Sequence, residues 1–253
     1  MSGHSKWANI KHRKAAQDAK KGAAYQRLTK AVIAAAKAGG GDPNANFRLK
    51  VAIDRAREGN VPMDNIERAI KKGSGEIEGA IYDEVTYEGY GPAGVAIMVE
   101  TLTDNRNRTA PEMRSLFTKS GGAIGEAGCV AWNFERRGVI RVEGKGIDEE
   151  ALLGVAAEAG ADDLQGDDEG FDVYCDPSSL SDVGIALKGA GYPVESMEIS
   201  MVPKNTVSIT RKDEASKLLT MVERFEEHDD VQNVYANFRS EERRVGKECR
   251  SRW

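Results

Sequence analysis

Lys11, Arg13, Lys14, Lys20 and Lys21 fall within the opening stretch MSGHSKWANIKHRKAAQDAKK, a density of cations able to neutralise the phosphates of a nucleic acid. Lys6, His12 and His4 add donors for phosphate or base edges. Trp7 can stack on a base or fold back onto a core, and the sequence leaves both open. Arg27 and Lys30 carry the same charge further along the chain. Any one of these cations could simply solvate a helix surface; the excess over a longer stretch is what points to a polyanion. Residues 1–72 hold sixteen Lys or Arg against six Asp or Glu, a formal +10, in a chain whose total is −5. Residues 73–238 reverse the balance, with fourteen bases against thirty-two acids, or −18. A basic head draws the chain to a phosphate polymer, while an acidic body discourages indiscriminate coating of it.

Other clusters carry less chemistry. Arg106 and Arg108, within TDNRNRTAPE, sit at a strand-to-helix junction whose free N–H groups could hold an anion, a secondary site. Asn105 or Asn107 capping that helix is the simpler reading. GGAIGEAG (Gly121–Gly128) has neither a phosphate-loop Lys-Ser/Thr nor dinucleotide spacing, so it reads as a loop. The acids Asp162, Asp163, Asp167, Asp168 and Glu169 lack calcium-loop spacing and read as a solvated face. Cys129, Cys175 and Cys249 form no CxxC and no set with His. No nucleophile elbow or metalloprotease helix occurs, so the expectation is a non-enzymatic protein with no cofactor and no metal.

The elements that must position the cations are helical at first. Tyr25, Leu28, Val32 and Ala35 make one apolar stripe, stopped by Gly39-Gly40-Gly41. A second helix, about Asn44–Glu58, turns Leu49, Ala52, Ile53 and Ala56 inward and Arg48 and Arg55 outward. Pro62 opens a third, with Met63, Ile66, Ala69 and Ile70 inward. The expectation is a basic three-helix bundle over residues 1–80, ending in the linker KGSGEIEGA.

The period then changes to two. Strands are expected at Ile81–Glu88, Val95–Thr103 and Val130–Glu135, with a helix at Arg108–Lys119. Next comes a βαββαβ run: strands Val139–Val142, Asp162–Gln165, Phe171–Cys175 and Val194–Met201, with helices Asp148–Ala159 and Ser179–Lys188. This order is ferredoxin-like. Thr206–Ile209, a helix at Lys212–Glu227 and a strand at Val231–Tyr235 cannot make a domain alone. The fold class expected is α/β (α+β): the bundle, then two ferredoxin-like α/β sandwiches, with residues 137–203 inserted into a domain made of 81–136 and 204–238. RSEERRVGKECRSRW, residues 239–253, breaks every earlier pattern and reads as an adapter-like, non-native tail. No apolar run reaches membrane-span length, and the N-terminus lacks a secretory h-region or an Arg- and Ser-rich import leader, so a cytoplasmic location is expected.

MSGHSKWANIKHRKAAQDAKK, GGGDP (Gly39–Pro43), IDRAREGNVPMDNIERAIKKG (Ile53–Gly73) and YEGYGPAGVAI (Tyr87–Ile97) together resemble one family. It is the family of bacterial transcriptional regulators whose mitochondrial relatives activate translation of a cytochrome oxidase subunit. The resemblance runs from Met1 to about Phe238, and His4, Lys6, Trp7, Lys11, His12, Arg13 and Lys14 match its opening pattern as they stand. It implies a three-domain, non-enzymatic cytoplasmic regulator of gene expression. Members are described either as DNA-binding transcription regulators or as ribosome-associated translation factors that help at proline runs. The residues leave both open. The third helix begins Pro62, Met63, Asp64, Asn65, with an acid near its front. That suits insertion into a DNA groove less well than docking on ribosomal RNA by shape and phosphate contact, although Asn65 could read adenine.

Overall fold

The computed structural model describes residue 22 and residues 24–79, 82–144, 146–166 and 170–240. The helical part comprises α1 (residues 24–39), α2 (Phe47–Glu58) and α3 (Met63–Gly73). Val32, Ile33 and Ala36 of α1 meet Leu49, Ile53 and Ala56 of α2 and Ile66 and Ala69 of α3 in one buried cluster, with Tyr25, Leu28, Ala52 and Ile70 at its edge. Asn46 fixes the turn after α1. Its side-chain oxygen accepts from the Leu49 N–H as the cap of α2, and its amide donates to the Ala35 and Gly40 carbonyls at 2.9 and 2.8 Å. α3 crosses α1 so closely that a Cβ on Gly73 would lie 2.4 Å from the Ile33 carbonyl oxygen.

One inward assignment is corrected. Met63 is 45% exposed, and Val61, 5% exposed, fills the place expected of it. Helical geometry begins only after Pro62, and the Val61 N–H returns to the Ala56 carbonyl at 2.9 Å. The loop residue is thereby folded into the core before the first helical turn can reach it.

In chain order the remainder reads β1 (Asp83–Tyr90), β2 (Ala96–Thr103), α4 (Arg106–Lys119), β3 (Ala123–Ile124), β4 (Phe134–Glu143), α5 (Glu149–Glu158), β5 (Ala161–Gly166), β6 (Gly170–Cys175), α6 (Leu180–Gly189), β7 (Val194–Pro203), β8 (Val207–Ile209), α7 (Lys212–Glu226), β9 (Val231–Ala236) and β10 (Phe238–Ser240). The chain divides into two compact units: Ala131–Thr206, and the residues up to Val130 together with those from Val207.

In the unit that contains the bundle, β1 and β2 form an antiparallel hairpin, with Tyr87 opposite Val99, at the centre of a sheet ordered β3-β1-β2-β9. Val95, Ile97 and Val99, alternating as a strand requires, face Met113 and Phe117 of α4 and Leu218, Met221 and Phe225 of α7. The Phe117 and Phe225 ring centroids are 4.8 Å apart. β8 and β10 pair in parallel beside this core, with Phe238 opposite Val207.

In the unit Ala131–Thr206 the sheet order is β5-β6-β4-β7, all neighbours antiparallel. With α5 and α6 packed through Leu152, Val183 and Leu187 onto Ile140, Val142 and Val173, this is the ferredoxin-like arrangement. The strands expected at Val130–Glu135 and Val139–Val142 are one strand, β4, entered through a short 3-10 turn at Ala131–Asn133. Gly138, which falls between the two expected strands, lies inside that strand. A Cβ there would meet Cys175 Sγ at 2.7 Å, so its role is close packing.

Candidate nucleic-acid interface

The candidate residues Lys6, Trp7, Lys11, His12, Arg13, Lys14, Lys20 and Lys21, and His4 with them, lie outside the described residues. Arg27 and Lys30 lie on α1, and both reach across to the sandwich. The Arg27 guanidinium donates to the Glu226 carbonyl. The Lys30 ammonium donates to the Asp229 carbonyl at 2.9 Å and to Asp230 Oδ1 at 2.8 Å, and it lies 5.4 Å from the centre of the Tyr82 ring. Lys37 reaches Asp83 at 3.4 Å, and Arg48 pairs with Glu84. These α1 and α2 cations join bundle to sandwich.

Asp230 is the hub of that seam. Its side chain is 2% exposed, and it takes Arg108 at 2.6 Å and the Thr109 hydroxyl at 2.8 Å on Oδ2, opposite Lys30 on Oδ1. Burial alone would raise its pKa. The hydrogen bonds from Lys30, Arg108 and Thr109 outweigh burial and hold the carboxyl at about 2. His228 completes the corner: its Nδ1 accepts from the Asp230 N–H and its Nε2 lies 3.1 Å from Glu112. A polar cavity of about 590 Å³ runs along this seam, bordered by Lys30, Tyr82, Arg108, Glu112 and His228.

The secondary anion site is not supported. Arg106 donates to Asp83 at 3.1 Å, and Arg108 is shared among Asp230, Asp104 and Glu112. One free N–H of α4 is met by its own cap, Asn105, whose side chain accepts from the Arg108 N–H. Both arginines therefore already have carboxylate partners that an incoming anion would have to displace.

The bundle's free charge lies elsewhere. Lys50 and Arg55 on α2, and Arg68, Lys71 and Lys72 on α3, have no carboxylate within ion-pair distance among the described residues. All but the half-buried Lys72 are exposed. Arg57 is tied to Asp54 at 3.6 Å. These five were absent from the candidate set. Their signal in the sequence is that they fall off the apolar positions 49, 53, 56, 66 and 69 that the two helices turn inward. Asp230 had no such signal, because its partners lie 200 and 122 residues away.

Residues 5–76 match the family description "TACO1/YebC protein N-terminal domain", and residues 82–238 match "TACO1/YebC second and third domain". The chain belongs to the TACO1/YebC family. A "Probable transcriptional regulatory protein" of Dictyoglomus turgidum is 57% identical over 239 residues, covering 94% of this chain and 96% of its own. One of the same description from Geobacter sulfurreducens is 54% identical over 238 residues, with the same coverage. A crystal structure of a conserved hypothetical protein from Aquifex aeolicus matches with a TM-score of 0.78 at 46% identity, covering 89% of this chain and 93% of that one. In TACO1/YebC terms, the N-terminal domain is the helical part that holds the five cations without a carboxylate partner among the described residues. The division between matched domains falls between Glu76 and Tyr82, just before β1.

Proposed function

We propose that this protein is a cytoplasmic, non-enzymatic regulator of gene expression that binds nucleic acid, in the first instance DNA, through its basic N-terminal domain. The observation that carries the reading is the set Lys50, Arg55, Arg68, Lys71 and Lys72. These cations are left without carboxylate partners among the described residues, in a segment that is +10 overall. Phosphates are the complementary partner for such a surface, and contacts of this kind give affinity without sequence preference. The names of the relatives, transcriptional regulatory proteins, support the same reading.

The test is a salt titration of duplex binding by the full chain and by a variant with all five cations changed to Gln. The variant is expected to bind at least tenfold more weakly at about 0.1 M salt and to show a shallower dependence on salt. Equal affinity and equal slope would remove this surface from the function. A second reading, docking on ribosomal RNA, has one observation in its favour: Asp64 is exposed in the first turn of α3, where a groove-reading helix would meet base edges between the phosphate walls. Crosslinking in cells, followed by sequencing of the attached nucleic acid, separates promoter DNA from ribosomal RNA.

A further inference from the structure

Phe47 is the first residue of α2 and is 72% exposed, more than any other large hydrophobic side chain among the described residues. Its backbone is nonetheless firmly held. Asn46 before it is 7% exposed and makes three hydrogen bonds, and Leu49 two residues on is fully buried. The ring therefore stands in solvent on a rigid base. A single exposed hydrophobic side chain would mean little; its surroundings are what matter.

Lys50 follows one helical turn later on the same face and has no carboxylate partner among the described residues. The chain leading into α2 packs on the far end of α3: a Cβ on Gly41 would touch Ile70 and Ser74. Lys71 and Lys72, in the last turn of α3, are thus at the same end of the bundle as Phe47. Several acids of this region are engaged by other groups; Glu76, whose N–H donates to the Lys71 carbonyl, takes the Ser74 hydroxyl at 3.0 Å. Asp42 accepts from the Asn44 N–H at 2.9 Å, Asp54 is paired with Arg57, and Glu84 is paired with Arg48.

We infer that Phe47 is a stacking platform for an unpaired nucleobase, flanked by Lys50, Lys71 and Lys72 on the adjoining phosphates. The bundle's ligand would then be single-stranded or looped nucleic acid. This rests on the reading that the bundle binds nucleic acid, and it names which form. The pairing of an exposed aromatic ring with unpaired cations is the chemistry of single-strand binding, since every base offers a π-face whatever its identity. On an intact duplex edge such a ring can meet only a thymine methyl, whereas an unpaired base offers it a whole face.

The test uses the full chain with a hairpin carrying 2-aminopurine in its unpaired loop, made as RNA and as DNA, and with the same sequence fully paired. The wild type is expected to prefer the looped ligand and to quench its fluorescence. Phe47→Ala is expected to weaken looped binding on the order of tenfold and abolish the quench, leaving duplex affinity and salt slope unchanged. Phe47→Trp should retain both. Lys50→Gln/Lys71→Gln/Lys72→Gln should weaken looped and paired ligands alike. If Phe47→Ala holds the looped ligand as tightly as the wild type while the lysine variant loses it, the stacking role is wrong and the basic surface stands. If the lysine variant also binds normally, both fall. The RNA and DNA arms report which sugar the site accepts.

Discussion

Asp230 shows how one carboxylate can redirect the use of several cations. Removing it would take from Lys30, 13% exposed, its carboxylate partner and leave Arg108, 45% exposed, with only the more exposed Asp104 and Glu112. Asp230→Asn is expected to destabilise the unit by roughly 2 kcal/mol near neutral pH. The pH dependence has a definite sign. The folded pKa of about 2 lies below the ordinary 3.8, so the unfolded chain takes up this proton first on acidification. The stabilisation is complete above about pH 5, declines as pH falls through the range between the two values, and is gone below the folded pKa. Urea midpoints of wild type and Asp230→Asn should therefore differ most near pH 6 and converge toward pH 2. A constant gap would mean that the hub is not electrostatic.

At the scale of elements, the informative feature is the start of α3. Periodicity alone assigns Met63 inward and treats Val61 as loop, whereas the chain buries Val61 and exposes Met63. Val61→Ala is expected to cost about 1–2 kcal/mol through lost burial, and Met63→Ala to stay within about 0.5 kcal/mol. Thermal unfolding of the two variants decides this directly, and the reverse ranking would put the helix in the other phase. β4 carries the same lesson. A glycine that interrupts a sequence pattern can also be the residue that lets two strands and a cysteine side chain approach, as Gly138 does. The two expected strands are one ten-residue strand that runs through it.

At the scale of the molecule, charge and compactness are divided differently. The unit Ala131–Thr206 has its own buried cluster, from Ile140 to Leu187, and its own four-stranded sheet. Expressed alone, it is expected to unfold cooperatively in denaturant and to show no retention of nucleic acid at any salt concentration. Non-cooperative melting would show that its core needs the rest of the chain. The bundle, by contrast, is tied to the sandwich through Arg27, Lys30, Lys37 and Arg48. A substitution on that seam therefore alters the presentation of the basic surface as well as its charge.

The sequence by itself determined the helices, the change to strand periodicity, the βαββαβ order and the +10 of the head. Each of these follows from side-chain spacing or a sum of charges over a contiguous stretch. It also marked a cap at Asn105 or Asn107, a contact that spans three residues, and the structure places it at Asn105. Only the tertiary structure decided which cations are free. Lys30 and Lys50 look alike in a chain of letters, yet one meets a carboxylate two hundred residues away and the other meets none among the described residues. An ion pair is set by distance in space, and distance in space between remote segments is what a local pattern does not carry.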